Sequence, residues 1–217
     1  DPYRAAMERW YQTALRLLPE LATLAAAATD PLTGAARLAI AGNVIDLGVN
    51  GRVTETDLRA AIQHALHEPV AGDWPAFRQA VVRASRILYL ADIAGEIVFD
   101  RLLLRELWPA RVTVAVRGAP VLNDATRADA QAAGLTDEFA VIDNGSDAPG
   151  TILAECSAEF RRQFDEADLI LAKGQGNFET LNEEPANIFF LFKVKCPVIA
   201  ADVGQPVGSA VLWRKSA

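Results

Sequence analysis

Four groups of polar residues, each placed just after a short apolar run, carry the chemistry that can be read from this chain. After "ILYLA" (87–91) come Asp92 and Glu96 around Gly95, and after "VTVAV" (112–116) come Arg117 and Gly118, then Asn123-Asp124. After "FAVI" (139–142) come Asp143, Asn144, Gly145 and Ser146, and after "LILA" (169–172) come Lys173, Gly174 and Asn177. Two carboxylates with amide oxygens make a hard oxygen-donor set suited to Mg²⁺ or Mn²⁺. A lysine, glycine-rich backbone and helix N-termini suit a phosphate. The combination points to metal-assisted phosphoryl chemistry. Each group alone has a plainer reading: Asp92 as a helix cap, Asn123-Asp124 as a turn and cap, "DNGSD" as a surface turn, and Lys173-Gly174 as a strand exit. Their convergence is what favours a site.

Convergence requires that the apolar runs be neighbouring strands. The runs 87–91, 112–116, 139–142, 169–172, 188–192 and 209–213 are apolar at successive positions, which is the pattern of strands buried on both faces of a parallel sheet. Helical spacing fills the intervals at about 95–107, 125–133, 151–164 and 177–183, with a short helix near 196–203. The expected fold is α/β, a doubly wound, mostly parallel sheet with helices on both faces, and in such sheets ligands bind beyond the carboxyl ends of the strands. Ahead of it, helical patterns at 3–27, 31–41, 54–67 and 74–84 read as an all-helical N-terminal subdomain. The expected division is 1–84 for that subdomain and 85–217 for the metal- and phosphate-binding domain.

The bulk properties narrow the function. A chain of 217 residues, 51% hydrophobic and 23% charged, can build one substantial core. A net charge of −7 argues against a nucleic-acid surface. No apolar run reaches the ~18 residues of a membrane span, so no membrane partner is expected. Two distant cysteines, Cys156 and Cys196, indicate neither a disulfide framework nor a zinc site, which fits a cytoplasmic protein. His64 and His67 lie three apart on a helix but have no third ligand nearby and read as surface residues. The oligomeric state is not legible, and the first residue, Asp1, reads as an internal start.

The ordered motifs "LAIAGNVIDLG" (38–48), "DIAGEIVFDRLL", "VRGAPVLNDAT", "IDNGSDAPGT", "DLILAKGQGNFETL" and "FFLFKVKCPVIA" resemble the damage-control phosphatase family over nearly the whole chain. These are metal-dependent phosphatases related to the Mg- or Mn-dependent sugar-phosphate phosphatases of eukaryotes, and the chain is similar to the shorter prokaryotic-type branch. The resemblance implies hydrolysis of phosphomonoesters of small metabolites, such as sugar phosphates or damaged phosphometabolites, with Mg²⁺ or Mn²⁺ as cofactor and Co²⁺ or Ni²⁺ as alternatives. It implies that Asp92 and Asp124 hold the metal and that Lys173 contacts phosphate with Asn177 beside it. Asn123, Arg117 and Ser146 contribute by position, and Glu96 orients the metal's water shell. Asn43 and Asp46 of "GNVID" either close over the site or form a helix-terminal polar cluster. The sequence departs from the family at Ile93, where an Asn that ligates the metal is usual. The alternative is therefore a non-catalytic phosphometabolite-binding protein with an impaired metal site.

Overall fold

The computed structural model describes residues 4–28, 30–42 and 55–215. Seven strands form one sheet: β1 (Val70–Gly72), β2 (Arg86–Leu90), β3 (Arg111–Val116), β4 (Ala140–Asp143), β5 (Leu169–Lys173), β6 (Ile188–Lys193) and β7 (Ala210–Trp213). Their spatial order is β1-β7-β6-β5-β2-β3-β4. All neighbours pair in parallel except β6 and β7, which are antiparallel. Six strands lie within a residue or two of the expected runs. The exception is β1, so residues 1–84 are not all-helical: three residues between two helices complete one edge of the sheet. A strand that short carries too little alternation to be read from sequence.

Nine helices are described: α1 (Arg4–Ala26), α2 (Pro31–Ala41), α3 (Glu55–His67), α4 (Trp74–Arg83), α5 (Ile97–Glu106), α6 (Arg127–Ala132), α7 (Ala158–Glu166), α8 (Gly174–Leu181) and α9 (Pro197–Val203). None is long and apolar enough to cross a membrane. Successive strand residues point to opposite faces, and the sequence supplies apolar side chains to both. Ile87, Tyr89, Leu169, Leu171, Phe189 and Leu191 join a core shared with α1, α2, α4 and α5. Leu88, Leu90, Ile170, Ala172, Phe190 and Phe192 join a second core with α7, α8 and α9. The N-terminal helices thus share the sheet's own core. Within that layer α2 is buried along most of its length, and Gly34 lets it approach α1, since a β-carbon there would stand 2.9 Å from the Ala25 carbonyl oxygen.

The order of strands decides where a ligand can sit. From β2 the chain goes outward to β3 and β4, then returns to the other side of β2 to build β5 and β6. The segments leaving β2 and β5 therefore diverge and open a crevice at the carboxyl edge, the topological switch point of the sheet. Asp92 follows β2 and Gly174 follows β5.

Candidate functional site

Two loops pair at that crevice and bring the predicted metal ligands together. The Ala91 amide donates to the Ala115 carbonyl and continues the β2–β3 ladder; Ala125 N then donates to Asp92 O (2.7 Å), and Ala94 N to Asn123 O (2.9 Å). Ile93 and Asp124 face each other as an antiparallel bridge. This pairing sets the Asp92 and Asp124 carboxylates into each other's field. Burial, with the Asp124 charge next, pushes the Asp92 carboxyl up to about 7, against the opposing charges of Arg117, Lys173 and Lys195. Neither acid caps the helix after it. Thr126 is the N-cap of α6, its amide and hydroxyl both bonded to Asp129 Oδ2, and Glu96 occupies the cap position of α5.

Arg117 fastens Asp124. Its Nε donates to Asp124 Oδ2 at 2.6 Å, while its two terminal nitrogens donate to Thr151 Oγ1 (3.2 Å) and Asn177 Oδ1 (3.3 Å). Arg117 as a whole is 3% exposed. Asn177 is a bracket between strand ends. Its side-chain NH₂ donates to Lys173 O (2.7 Å) and Ala91 O (3.3 Å), and its Oδ1 also accepts from the Thr151 hydroxyl (2.7 Å). Both donors and both lone pairs are thereby occupied, so Asn177 shapes the crevice and offers no donor to a phosphate in this structure. Ser146 is tied into its own loop. Asn144 Oδ1 accepts from the amides of Ser146 and Gly118, both at 3.0 Å, the Ser146 hydroxyl accepts from Ala148 N, and Gly118 N also donates to Ser146 O. Gly118 is required because a β-carbon there would lie 2.7 Å from Gly145. Asn123 is half-buried beside Asp124, and Asp143 turns outward to pair with Arg127 at 3.0 Å.

Lys173 is placed differently from the sequence expectation. Its ammonium is 1% exposed and gives its three hydrogens to Asp100 Oδ1 (2.8 Å), Glu96 Oε2 (3.0 Å) and Ala39 O of α2 (2.7 Å). No hydrogen of it points into the crevice. The expected phosphate contact is replaced by a buried ion cluster beneath the site, because β5 delivers the side chain to the α2–α5 face of the sheet. Burial pulls the ammonium down, but Asp100 and Glu96 outweigh it and hold Lys173 above its ordinary value. Burial lifts Asp100, and lifts Glu96 to about 8 even with Lys173 opposing. One lysine against two buried acids is nearest to neutral when one acid keeps its proton. Among the described residues, Glu96 Oε1 and Asp100 Oδ2 have no hydrogen-bond partner, and the Tyr89 hydroxyl lies against Asp100 without good hydrogen-bond geometry.

Asp100, Thr151 and Tyr89 are site residues that sequence reasoning missed. Asp100 had a signal: it lies four residues after Glu96, on the same face of α5. Thr151 had none beyond its place at the end of a loop. Glu96 itself packs on Gly42 at the end of α2, where a β-carbon would come within 3.1 Å of it. Asn43 and Asp46, expected on the substrate side, lie outside the described residues. Among the described residues, no group of three or more His, Cys, Asp or Glu side chains is arranged to hold a metal ion. Asp92 and Asp124 are thus a two-carboxylate set, and the Ile93 side chain, 4% exposed, adds no oxygen.

Residues 1–211 match the damage-control phosphatase ARMT1-like domain. The uncharacterized protein MJ0202 of Methanocaldococcus jannaschii is 35% identical over 226 residues, covering 99% of this chain and 74% of that protein. A damage-control phosphatase of Pyrococcus horikoshii, PH1575, is 41% identical over 185 residues, covering 83% of this chain and 64% of its own. One from Archaeoglobus fulgidus is 35% identical over 218 residues, covering 97% and 75%. The crystal structure of a DUF89 family protein from Pyrococcus horikoshii superposes with a TM-score of 0.87 at 35% identity, over 99% of this chain and 74% of that one. The chain thus spans about two thirds to three quarters of its relatives, and by sequence and fold together it belongs to the damage-control phosphatase ARMT1-like family.

Proposed function

We propose that the protein is a metal-dependent phosphatase that hydrolyses phosphomonoesters of small metabolites, such as sugar phosphates or damaged phosphometabolites. The observation that carries this reading is the meeting of Asp92 and Asp124 at the switch point of the sheet, in a family whose named members are damage-control phosphatases. The donor set suits a hard divalent cation: two adjacent carboxylates, one made reluctant to ionise by burial and by its neighbour's charge, are stabilised by a cation between them. Mg²⁺ and Mn²⁺ accept as few as one or two carboxylates when water and phosphate oxygens fill the remaining positions. Asp92 and Asp124 hold such an ion, and when bound it supplies Lewis-acid charge at the phosphoryl group.

The chain's own residues prepare that place. Arg117 fixes the orientation of Asp124 through the Nε contact, and Asn177 and Thr151 fix Arg117. Lys173 holds Glu96 and Asp100 together, and Glu96 Oε1, without a hydrogen-bond partner among the described residues, is the oxygen able to carry a proton at neutral pH. Hydrogen bonds from the Ala125 and Ala94 amides fix the turn that carries Asp92.

A second reading, a phosphometabolite-binding protein without turnover, is favoured by two observations: Ile93 supplies no ligand, and the Lys173 ammonium is occupied inward. Phosphate release from p-nitrophenyl phosphate and a panel of phosphorylated metabolites, measured with Mg²⁺, Mn²⁺, Co²⁺ or Ni²⁺ and after chelation, separates the two. Release that needs the metal supports the enzyme. Binding of phosphorylated metabolites without any metal-dependent release leaves the second reading standing.

A further inference from the structure

We propose that the cavity among α1, α2, α3 and α4 is a second ligand site, separate from the Asp92–Asp124 crevice. It takes a small organic acid with a planar apolar body, the carboxylate on Arg37 and the body against Trp74. The inference does not depend on the phosphatase reading. The cavity holds about 620 Å³, the size of a small-molecule site, and none of the crevice residues lines it. Among the described residues, Leu24, Ala28, Leu66 and Trp74 supply its apolar wall, and its ionisable side chains are Arg37, Arg78, Asp30 and His67.

Arg37 supplies the carboxylate's partner. It stands on α2, half-buried, and its Nη1 donates to Leu66 O in the last turn of α3 at 3.0 Å, which fixes the guanidinium across the two helices. Its Nε is buried and has no hydrogen-bond partner among the described residues. A buried donor of this kind calls for a partner from outside the chain, and the Nε–Nη2 edge is the side of a guanidinium that forks a carboxylate through two parallel hydrogen bonds. No acid on the described wall answers that charge. Asp30 is held by Arg78, which bonds both Asp30 Oδ2 and Thr33 Oγ1.

Trp74 supplies the apolar partner. Its indole Nε1 donates to Val70 O at 3.1 Å, and its ring stands edge-on to Phe77 at 81°, so its orientation is set and its one donor is occupied. The ring therefore offers the cavity an apolar surface, beside Leu24 and Leu66. The hydroxyl groups of a sugar phosphate would lie unpaired against that wall, whereas a planar apolar body buries there at no such cost.

The test uses the whole chain, naphthoate as the acid and naphthamide as its neutral twin, with Kd measured by calorimetry. Naphthoate binds the parent, and naphthamide binds about ten-fold more weakly or worse, because it brings no charge to the fork. Arg37→Ala raises the naphthoate Kd about ten- to hundred-fold, and Arg37→Lys, which keeps the charge and loses the fork, raises it less. Gln63→Phe fills the cavity from an exposed position of α3 and also raises Kd, so the test stands even where Arg37→Ala unfolds. Asp124→Asn, in the crevice, leaves Kd within about twofold of the parent. A parent that binds no naphthoate, equal binding of the amide, or affinity that survives both Arg37→Lys and Gln63→Phe overturns the site. Loss of binding in Asp124→Asn, or displacement of naphthoate by inorganic phosphate, puts the acid in the crevice and overturns it as well. Naphthoate binding that depends on Arg37 in a protein without metal-dependent turnover removes the phosphatase and leaves this site.

Discussion

The Asp92 carboxylate lies directly over the α-carbon of Gly174: a β-carbon at 174 would stand 1.8 Å from Asp92 Oδ2 and 2.0 Å from its carboxyl carbon. The contact joins the two segments that diverge at the switch point. Gly174 also has φ of +81°, a left-handed conformation that side chains disfavour. Gly174→Ala is therefore expected to expel Asp92 from its position. It should cost ~1–3 kcal/mol of stability from backbone strain and displacement, and metal affinity should fall further than stability alone explains. Urea unfolding and Mn²⁺ titration of the same variant check this, and unchanged Mn²⁺ affinity would show that Asp92 does not hold the ion from its place on Gly174.

Removing Lys173 should first be a stability event. Lys173→Met leaves Glu96 and Asp100 facing each other without a buried cation, and breaking a buried ion pair in this way costs ~3–5 kcal/mol. Pairing the change with Asp100→Asn should recover part of the loss, because the double variant no longer buries two uncompensated acids. Urea midpoints of the two singles and the double measure the coupling. Independent, additive effects would contradict the cluster.

Asp124→Asn should abolish metal-dependent turnover and also lower stability, since Arg117 Nε would lose its charged partner in a dry setting. A loss of ~1–3 kcal/mol is expected, because the amide oxygen can still accept a weaker hydrogen bond. The activity effect is read at saturating metal and the stability effect by thermal melting. Full turnover at limiting metal would reduce Asp124 to a partner of Arg117 and no more.

Away from the site, Glu138 binds Arg105 through both carboxylate oxygens and also pairs with Arg101, tying the turn after α6 to α5. The hydrogen bond from Arg105 is the largest cause that depresses its carboxyl, from 4.5 to about 2. A depressed folded-state value means the stabilisation is complete above the unfolded value and is lost as pH falls from about 4.5 through about 2. The parent's urea midpoint should exceed that of Glu138→Gln at pH 6 and converge on it toward pH 2. The group is largely exposed, so the difference should shrink in 1 M salt. A gap that persists unchanged at pH 2 would show that packing, not charge, sets it.

How much of this was legible in the sequence follows from the kind of signal each feature leaves. Strands such as Leu169–Lys173 and Ile188–Lys193, apolar on both faces, state their own burial, and the polar residues after them mark the carboxyl edge. From that alone Asp92, Asp124 and Arg117 could be placed together. The direction of a side chain at a strand end was not legible. Lys173 and Asn177 carry the residue types of a phosphate site, yet the pleat sends Lys173 through the sheet to Asp100 and turns Asn177 onto strand-end carbonyls. Such partners lie 73 and 86 residues away in the chain, and no local pattern encodes them. The edge strand Val70–Gly72 was missed for the converse reason: three residues are too few to show a period.

Ile93 decides whether the proposed metal site lacks a ligand that the family resemblance leads one to expect. Its backbone faces Asp124, its carbonyl accepts from Glu96 N at 3.0 Å, and its side chain is 4% exposed while belonging to neither of the two large apolar clusters. An asparagine there would have the backbone it needs, and its amide would lie in the same turn as the two carboxylates. If the amide oxygen reaches the ion, Ile93→Asn should raise Mg²⁺ or Mn²⁺ affinity and raise turnover at low metal, with the largest effect where the parent is unsaturated. If it is instead enclosed without a partner, the variant should lose ~1–3 kcal/mol with no change in metal affinity. The first outcome is expected, because the residue sits between the two acids in the paired loops and outside the clusters where an amide would meet only apolar neighbours. Metal titration with and without the mutation, beside a thermal melt of the apoprotein, separates the cases. A lower melting temperature with unchanged metal affinity would make Ile93 a packing residue and leave the proposed site without an amide ligand from this turn.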